Sequence, residues 1–323
     1  MSALRNRLGF MQQRYLGHSG LAVSRLGLGT MSWGRDTDEH EAREQLAAFV
    51  AAGGTLVDTA AAYGDGDSER LIGSLLGDVV DRDDLVIATK AGFSVRRGER
   101  ITDTSRGALL RDLEGSLRRL NVDHIDLWQL HTWSDDVPLE ETLSALDHAV
   151  NSGKVRYVGV SNYAGWKSAR AVTWQQAWPG RAVPVSNQVE YSLLARDAEA
   201  DAIRAAGGLG IGVLAWSPLG RGVLTGKYRT GIPADSRAAS QHLSRFVDPY
   251  LDGRGSGIVE AVARAADGLG WSPLEVALTW VRDRPGVTAA IVGARTAMQL
   301  KSVLGTEELT LPPAIAAALE DVS

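Results

Sequence analysis

TLVDTAAAYGDGDSERLIGSLLGDVVDRDDLVIATK (residues 55–90) holds two short, nearly all-apolar runs, TLVDT (55–59) and LVIATK (85–90), with amphipathic sequence between them. A run of this length without polar alternation reads as a strand buried on both faces, the kind found in parallel sheets covered by helices. The pattern recurs in both directions. RLGLGT (25–30), IDLWQL (125–130), VRYVGV (155–160), VPVSNQ (183–188), GVLAWS (212–217) and AAIVG (289–293) bring the set to eight. Helix starts fall between the runs: Asp38 opens a segment that Gly53 and Gly54 stop, Ser105 opens RGALLRDLEGSLRRL, and Ser272-Pro273 opens LEVALTWVRD. Eight strand-then-helix units close most simply on themselves, so the expected fold is α/β, a (β/α)8 barrel in one domain spanning 1–323.

Three segments stand outside the repeat. Residues 11–24, built around Ser19-Gly20, read as a β-hairpin able to plug the lower end of the barrel. Residues 228–257, with Gly231, Pro233, Asp248-Pro249 and GRGSG (253–257), read as a long loop after the seventh strand, able to overhang the rim as a lid. Residues 1–10 read as an alternative start or a flexible leader.

Composition excludes several classes of function. The net charge of −5 disfavours nucleic acid, whose phosphates need a concentrated Lys/Arg surface. No apolar run approaches the roughly 18 residues of a membrane span, so no membrane partner is expected. Without cysteine there is no disulfide, no thiolate nucleophile and no Cys-based metal site. The start, MSALRNRLGF, lacks the apolar stretch of a secretory signal, which leaves the cytoplasm as the expected compartment. The six histidines never form His-x-His or His-Glu-x-x-His, and no metal site is expected. Gly27-Leu28-Gly29 starts like a dinucleotide fingerprint, but Ser32 stands where its third glycine belongs.

In barrels of this kind chemistry gathers where strands end. Asp58, Lys90 and His131 lie at the ends of three consecutive strand candidates, and Tyr63 follows Asp58 by five residues. Any one of them alone is explained by helix capping or backbone satisfaction. Together they suggest catalysis. A phenol with a reference pKa near 10 keeps its proton at neutral pH, and a Lys90 ammonium beside it would favour the phenolate. Asp58 would hold Lys90 charged, and His131 would donate a hydrogen bond to a carbonyl oxygen. Such a group can protonate a carbonyl while a hydride arrives, which is reductase chemistry.

The segments LGLGTMSWG, DTAAAYGDGDSERLIG, LVIATKAG, IDLWQLH, GKVRYVGVSNY, NQVEYS, LAWSPLGRGVLTGKY and AIVGARTAMQL resemble, in order and spacing, the aldo-keto reductase family over nearly the whole chain. WSPLG-x-G-x-LTGKY is most similar to the branch with potassium channel β subunits and many bacterial reductases. The resemblance implies a (β/α)8 barrel, NADPH/NADP+ as cofactor, and a catalytic tetrad at Asp58, Tyr63, Lys90 and His131.

It also implies cofactor contacts at Gly29, Thr30, Met31, Asp58 and Pro218, and agrees with the chemistry of other positions. Ser161, Asn162 and Gln188 end the fifth and sixth strands, where hydroxyl and amide groups can hold a carboxamide such as that of nicotinamide. Trp216 can stack on a flat ring, with Ser217, Leu219, Arg221, Gly222 and Lys227 following a pyrophosphate. Gly293, Arg295 and Gln299 mark a helix N-terminus suited to an anion, and Arg295 could grip a 2′-phosphate, which favours NADPH over NADH. Ser302-Val303 stand where channel-type members carry a Glu-Asn pair that meets adenine. Trp33, Thr132 and Trp133 join Tyr63 and His131 at the substrate pocket, whose expected ligand is a small aldehyde or ketone. A redox-sensing, NADPH-binding regulatory subunit is the alternative function, and a homo-oligomer is an open possibility.

Overall fold

Eight parallel strands close into a barrel in a computed structural model that describes residues 11–96, 98–233, 236–239 and 244–323. The leader expected at 1–10 lies outside the described residues. In chain order the strands are β1 (Gln13–Tyr15), β2 (Ala22–Ser24), β3 (Leu26–Gly29), β4 (Leu56–Asp58), β5 (Val86–Ala91), β6 (Phe93–Arg96), β7 (Glu99–Thr102), β8 (Ile125–Leu130), β9 (Val155–Ser161), β10 (Ser186–Glu190), β11 (Gly212–Trp216) and β12 (Val287–Val292). The ring runs β3-β4-β5-β8-β9-β10-β11-β12 and returns to β3, so strands adjacent in sequence are adjacent in space. The eight expected strands are therefore the barrel strands, with ends shifted by at most three residues. Register aligns Gly29 with Asp58, Asp58 with Ala88, and Lys90 with Gln129, which brings the polar strand ends to one rim.

Helices α1 (Glu39–Ala51), α2 (Asp67–Leu75), α3 (Arg106–Leu120), α4 (Leu139–Asn151), α5 (Gly165–Gln176), α6 (Ala202–Leu209), α7 (Ser244–Val247), α8 (Gly253–Leu269), α9 (Pro273–Arg282), α10 (Ala297–Leu304) and α11 (Pro313–Val322) surround or extend the ring. Their starts follow side-chain chemistry. Asp38 accepts from the Glu41 amide, Ser105 from the Ala108 amide, and Ser272 forms a reciprocal capping box with Glu275. Each such cap contributes about 1 kcal/mol by satisfying an otherwise orphaned amide.

Two apolar layers hold the fold. The barrel interior is filled by Leu56, Ala88, Leu127, Leu214, Ala289 and Ile291, joined by Leu16, Leu21 and Val23 from the β1–β2 hairpin. That hairpin plugs the lower end as expected. A larger layer between strands and helices includes Leu28, Leu46, Phe49, Ile87, Leu113, Trp128, Leu146 and Leu278. Each fully buried leucine contributes roughly 1.5–3 kcal/mol of transfer free energy. At Gly17, with φ +59°, an added Cβ would lie 2.5 Å from the Gly210 carbonyl oxygen, so the hairpin tip can seat only with glycine there.

Part of the segment expected as a loop over 228–257 is helical: α7 (Ser244–Val247) and the start of α8 fall within it. GRGSG opens α8, capped by Asp252 accepting from the Gly255 amide at 2.6 Å. The reason is steric: a Cβ on Gly255 would lie 2.2 Å from the Tyr250 carbonyl oxygen, so this glycine serves a close approach. A second departure is the β6–β7 hairpin just after β5, a strand pair outside the eight expected. Among the described residues no helix is long and apolar enough to cross a membrane.

Candidate active site

Lys90 is the hub of the rim. Only 1% exposed, it donates from Nζ to Asp58 Oδ2 at 2.6 Å, to the Thr59 carbonyl at 3.0 Å and to Tyr63 Oη at 3.4 Å. Asp58 is locked from the far side of the barrel, because Gln188 Nε2 donates to its Oδ1 at 2.7 Å. Tyr63 begins the 3-10 turn that links β4 to α2, and its ring meets that of His131 edge-on with centroids 5.9 Å apart. The four polar residues expected to converge do so.

Electrostatics follow from burial and contact. Burial pushes the Tyr63 hydroxyl above its ordinary range, opposed by the neighbouring Lys90 charge and reinforced by Asp58. Burial also works against the Lys90 ammonium, but Asp58 and Tyr63 outweigh it and hold its pKa above the usual lysine value. His131 is pushed down to about 3, first by burial and then by the Lys90 charge, so its ring is neutral at physiological pH. Its Nδ1 is buried without a hydrogen-bond partner. A buried unpaired acceptor costs less than a buried unpaired donor when the donor can be placed elsewhere, which puts the proton on Nε2.

The mouth has walls of two origins. Phe93, on the β6–β7 hairpin, packs edge-on against His131 at 5.3 Å. Sequence reading missed it, although Phe93 and Val95 alternate with polar neighbours just ahead of Gly98, as one strand of a hairpin does. Thr132 and Trp133 are half-buried next to His131; Trp133 donates from Nε1 to Asp135 at 2.7 Å and packs on Tyr163 at 5.2 Å. Trp33 is fully buried with its indole N–H bonded to Gln45 at 3.1 Å, inside the layer between strands and helices, and has no exposed surface to offer a ligand here. Thr30 is likewise sealed, its hydroxyl bonded to the Asp58 carbonyl at 3.0 Å, while Gly29 is buried and Met31 half-buried.

Ser161, Asn162, Gln188 and Trp216 form a bonded frame beside the tetrad. Ser161 Oγ donates to the Gln188 carbonyl, Asn162 Nδ2 donates to His131 O and Ser161 Oγ, and Trp216 Nε1 donates to Asn162 Oδ1 at 3.0 Å. Their side-chain donors go to one another, to His131 O and to Asp58. What remains is acceptor capacity at Gln188 Oε1 and Asn162 Oδ1, which suits the N–H groups of a carboxamide. The ring end of a nicotinamide dinucleotide therefore fits these residues.

The residues expected at the phosphate end bond within the protein. Ser217 and Gly220-Arg221-Gly222 have positive φ values of 53°, 54°, 57° and 95°, forming a tight turn with Pro218 and Leu219, but the Gly220 and Gly222 amides are spent on the Ser217 and Leu219 carbonyls. Arg221 does not face an open anion site: it is bidentate to Glu190 at 2.9 and 2.7 Å, lies 3.7 Å over the Phe246 ring and donates to the Phe246 carbonyl. Its charge ties the insertion after β11 to the end of β10. Lys227 Nζ sits 5.2 Å over Tyr228 and would be 3.1 Å from a Cβ on Gly222. After β12, Gly293 leads to the α10 start, where the Ala297 amide donates to Glu41 Oε2 at 2.6 Å and the Arg295 amide to Gln299 Oε1 at 2.9 Å. The helix end expected to receive a phosphate already holds a carboxylate. Ser302 turns its hydroxyl to Met298 O, and Val303 is buried.

The aldo/keto reductase family model matches residues 25–323, which takes in every barrel strand. The chain belongs to the aldo/keto reductase family. It is 37% identical to an uncharacterized oxidoreductase of Bacillus subtilis over 97% of this chain and 96% of that relative. It is 34% identical to L-glyceraldehyde 3-phosphate reductase of Escherichia coli over 91% and 87%, and 33% identical to a probable voltage-gated potassium channel subunit beta of Oryza sativa over 90% and 89%. As an aldo/keto reductase the chain is a carbonyl-reducing oxidoreductase.

Proposed function

We propose that this aldo/keto reductase converts a small aldehyde or ketone to the alcohol with NADPH, using Tyr63 as general acid. The reading rests on one observation: the Lys90 ammonium touches both the Asp58 carboxylate and the Tyr63 hydroxyl in a buried corner of the rim. Bound NADPH supplies the hydride. Ser161, Asn162 and Gln188 hold its carboxamide, Trp216 flanks its ring, and Ser217, Leu219, Lys227, Arg295 and Gln299 serve its phosphates. Binding at that end competes with the contact Glu41 now makes.

Tyr63 holds its proton at neutral pH and passes it from Oη to the carbonyl oxygen as negative charge develops there. The phenolate left behind is stabilised by Lys90, and Asp58 keeps Lys90 charged and aimed. Neutral His131 donates from Nε2 to the same oxygen and fixes its approach. Phe93 and Trp133 exclude water and favour an apolar or planar substituent. In the reverse direction the phenolate is the base.

The likeness to potassium channel β subunits supports a second reading, an NADPH-binding regulatory subunit with little turnover. A panel of aldehydes followed by NADPH absorbance decides between them. Turnover that Tyr63→Phe abolishes while dinucleotide still binds supports the enzyme; binding without turnover on any carbonyl overturns it.

A further inference from the structure

Three of the nine tryptophans are exposed, and all three lie on or just beyond α5. Trp166 is 59% exposed, Trp174 42% and Trp178 65%. With Arg170 they fall at steps of four residues, one slowly turning stripe on the outer face of the helix, and the helix rise of 1.5 Å puts Trp166 and Trp174 about 12 Å apart. The opposite face of α5 is buried through Ser168, Ala171, Val172 and Gln175, so the stripe is not a frayed core surface. No catalytic role reaches it.

We propose that this stripe is the contact face of a symmetric homodimer, α5 packing against α5 of a second copy. Area is the first argument. A tryptophan offers up to roughly 250 Å², so the three indoles together present on the order of 400 Å² of mostly apolar surface. That is about half of the roughly 800 Å² per partner that a stable interface buries, and tryptophan with arginine is the composition of interface centres.

Charge is the second argument, and it selects the occupant. Lys167 Nζ is held over Trp133 at 4.7 Å and Trp166 at 5.4 Å, and Arg181 lies 5.5 Å over Trp174. Arg170 is paired with Glu140 at 2.9 Å. Lys167 and Arg181 keep their charge while stacked, but the Glu140 carboxylate beside Arg170 gives the stripe both signs, not the one-sign surface that an anionic membrane or nucleic acid selects. A two-fold axis suits them instead, because the Arg170 and Glu140 of one protomer can face the Glu140 and Arg170 of its partner. Trp166 also packs on Trp133 at 5.6 Å, so the interface would abut the mouth of the active site.

The test is sedimentation velocity on the full chain from about 1 to about 100 μM, the upper part of the affinity range of interfaces this size. The wild type should run as a dimer, and Trp174→Glu/Trp178→Glu should raise the dissociation constant at least tenfold with unchanged circular dichroism. Should that variant fail to fold, charge reversal decides: Arg170→Glu should weaken association and Arg170→Glu/Glu140→Arg restore it. A monomeric wild type across the range overturns the proposal, as does a dimer indifferent to both sets of substitutions. Monomers that pellet with anionic vesicles would assign the stripe to a lipid surface and equally overturn it.

Discussion

Lys90→Met isolates the step on which the proposed chemistry turns. In the wild type the ammonium lies 3.4 Å from Tyr63 Oη. A full phenolate at that distance is favoured by about 5 kcal/mol if the effective dielectric constant is about 20. With proton transfer about half complete in the transition state, the loss is about 2.5 kcal/mol, or roughly seventyfold in rate; with transfer complete it reaches several thousandfold. The expected fall in kcat thus lies between about a hundredfold and several thousandfold, while the dissociation constant for dinucleotide, read by tryptophan fluorescence, changes little. Removing Lys90 also strands the buried Asp58 charge, which should cost about 3–5 kcal/mol of stability. Lys90→Met/Asp58→Asn removes both charges and should recover most of that loss in a denaturant titration without recovering turnover. A folded, dinucleotide-binding Lys90→Met enzyme with kcat within about threefold of wild type would refute the role given to the ammonium.

Three other outcomes follow from the geometry. Because His131 has a folded pKa of about 3, below its ordinary value of 6.5, it stays neutral in the fold, and the reduction rate should show no inflection between about pH 5 and pH 8. By the same sign, the His131 contribution to stability is complete above pH 6.5 and is lost as pH falls toward 3, measurable by thermal melting; a rate inflection near 6.5 would contradict the neutral ring. Glu41→Gln removes the carboxylate at the α10 start and should tighten NADPH binding by about two- to fivefold relative to NADH, measured by fluorescence titration; equal effects on both would remove Glu41 from cofactor selection. Gly255→Ala sets a Cβ against the Tyr250 carbonyl and should destabilise by about 1–3 kcal/mol, with faster proteolysis in the 228–252 segment; an unchanged melting temperature would mean the turn relaxes freely.

What could be read before the structure was whatever depends on period and position. Parallel strands buried on both faces leave unbroken apolar runs, so the barrel and the strand-end residues Asp58, Lys90 and His131 were legible together. Side-chain partners were not. Nothing local to Arg221 announces Glu190, 31 residues away, nor does Trp33 signal that Gln45 will take its N–H inside the core. Glu41 and Ala297 are separated by 256 residues, and their contact exists only because α1 and α10 flank neighbouring strands. Glycine misled at GRGSG, where composition suggests freedom but the backbone uses Gly255 for close approach. Phe93 lay within reach: Phe93 and Val95 alternate with polar residues just before Gly98.

The bond between Gln188 and Asp58 joins residues 130 apart in sequence and spans the mouth of the barrel. The carboxylate that steers the ammonium is thus steadied by a strand made long after it in synthesis, and fragments ending before β10 lack that brace. During refolding, catalytic competence should return with ring closure rather than with the earlier gain of helix, which makes turnover a reporter of completed topology.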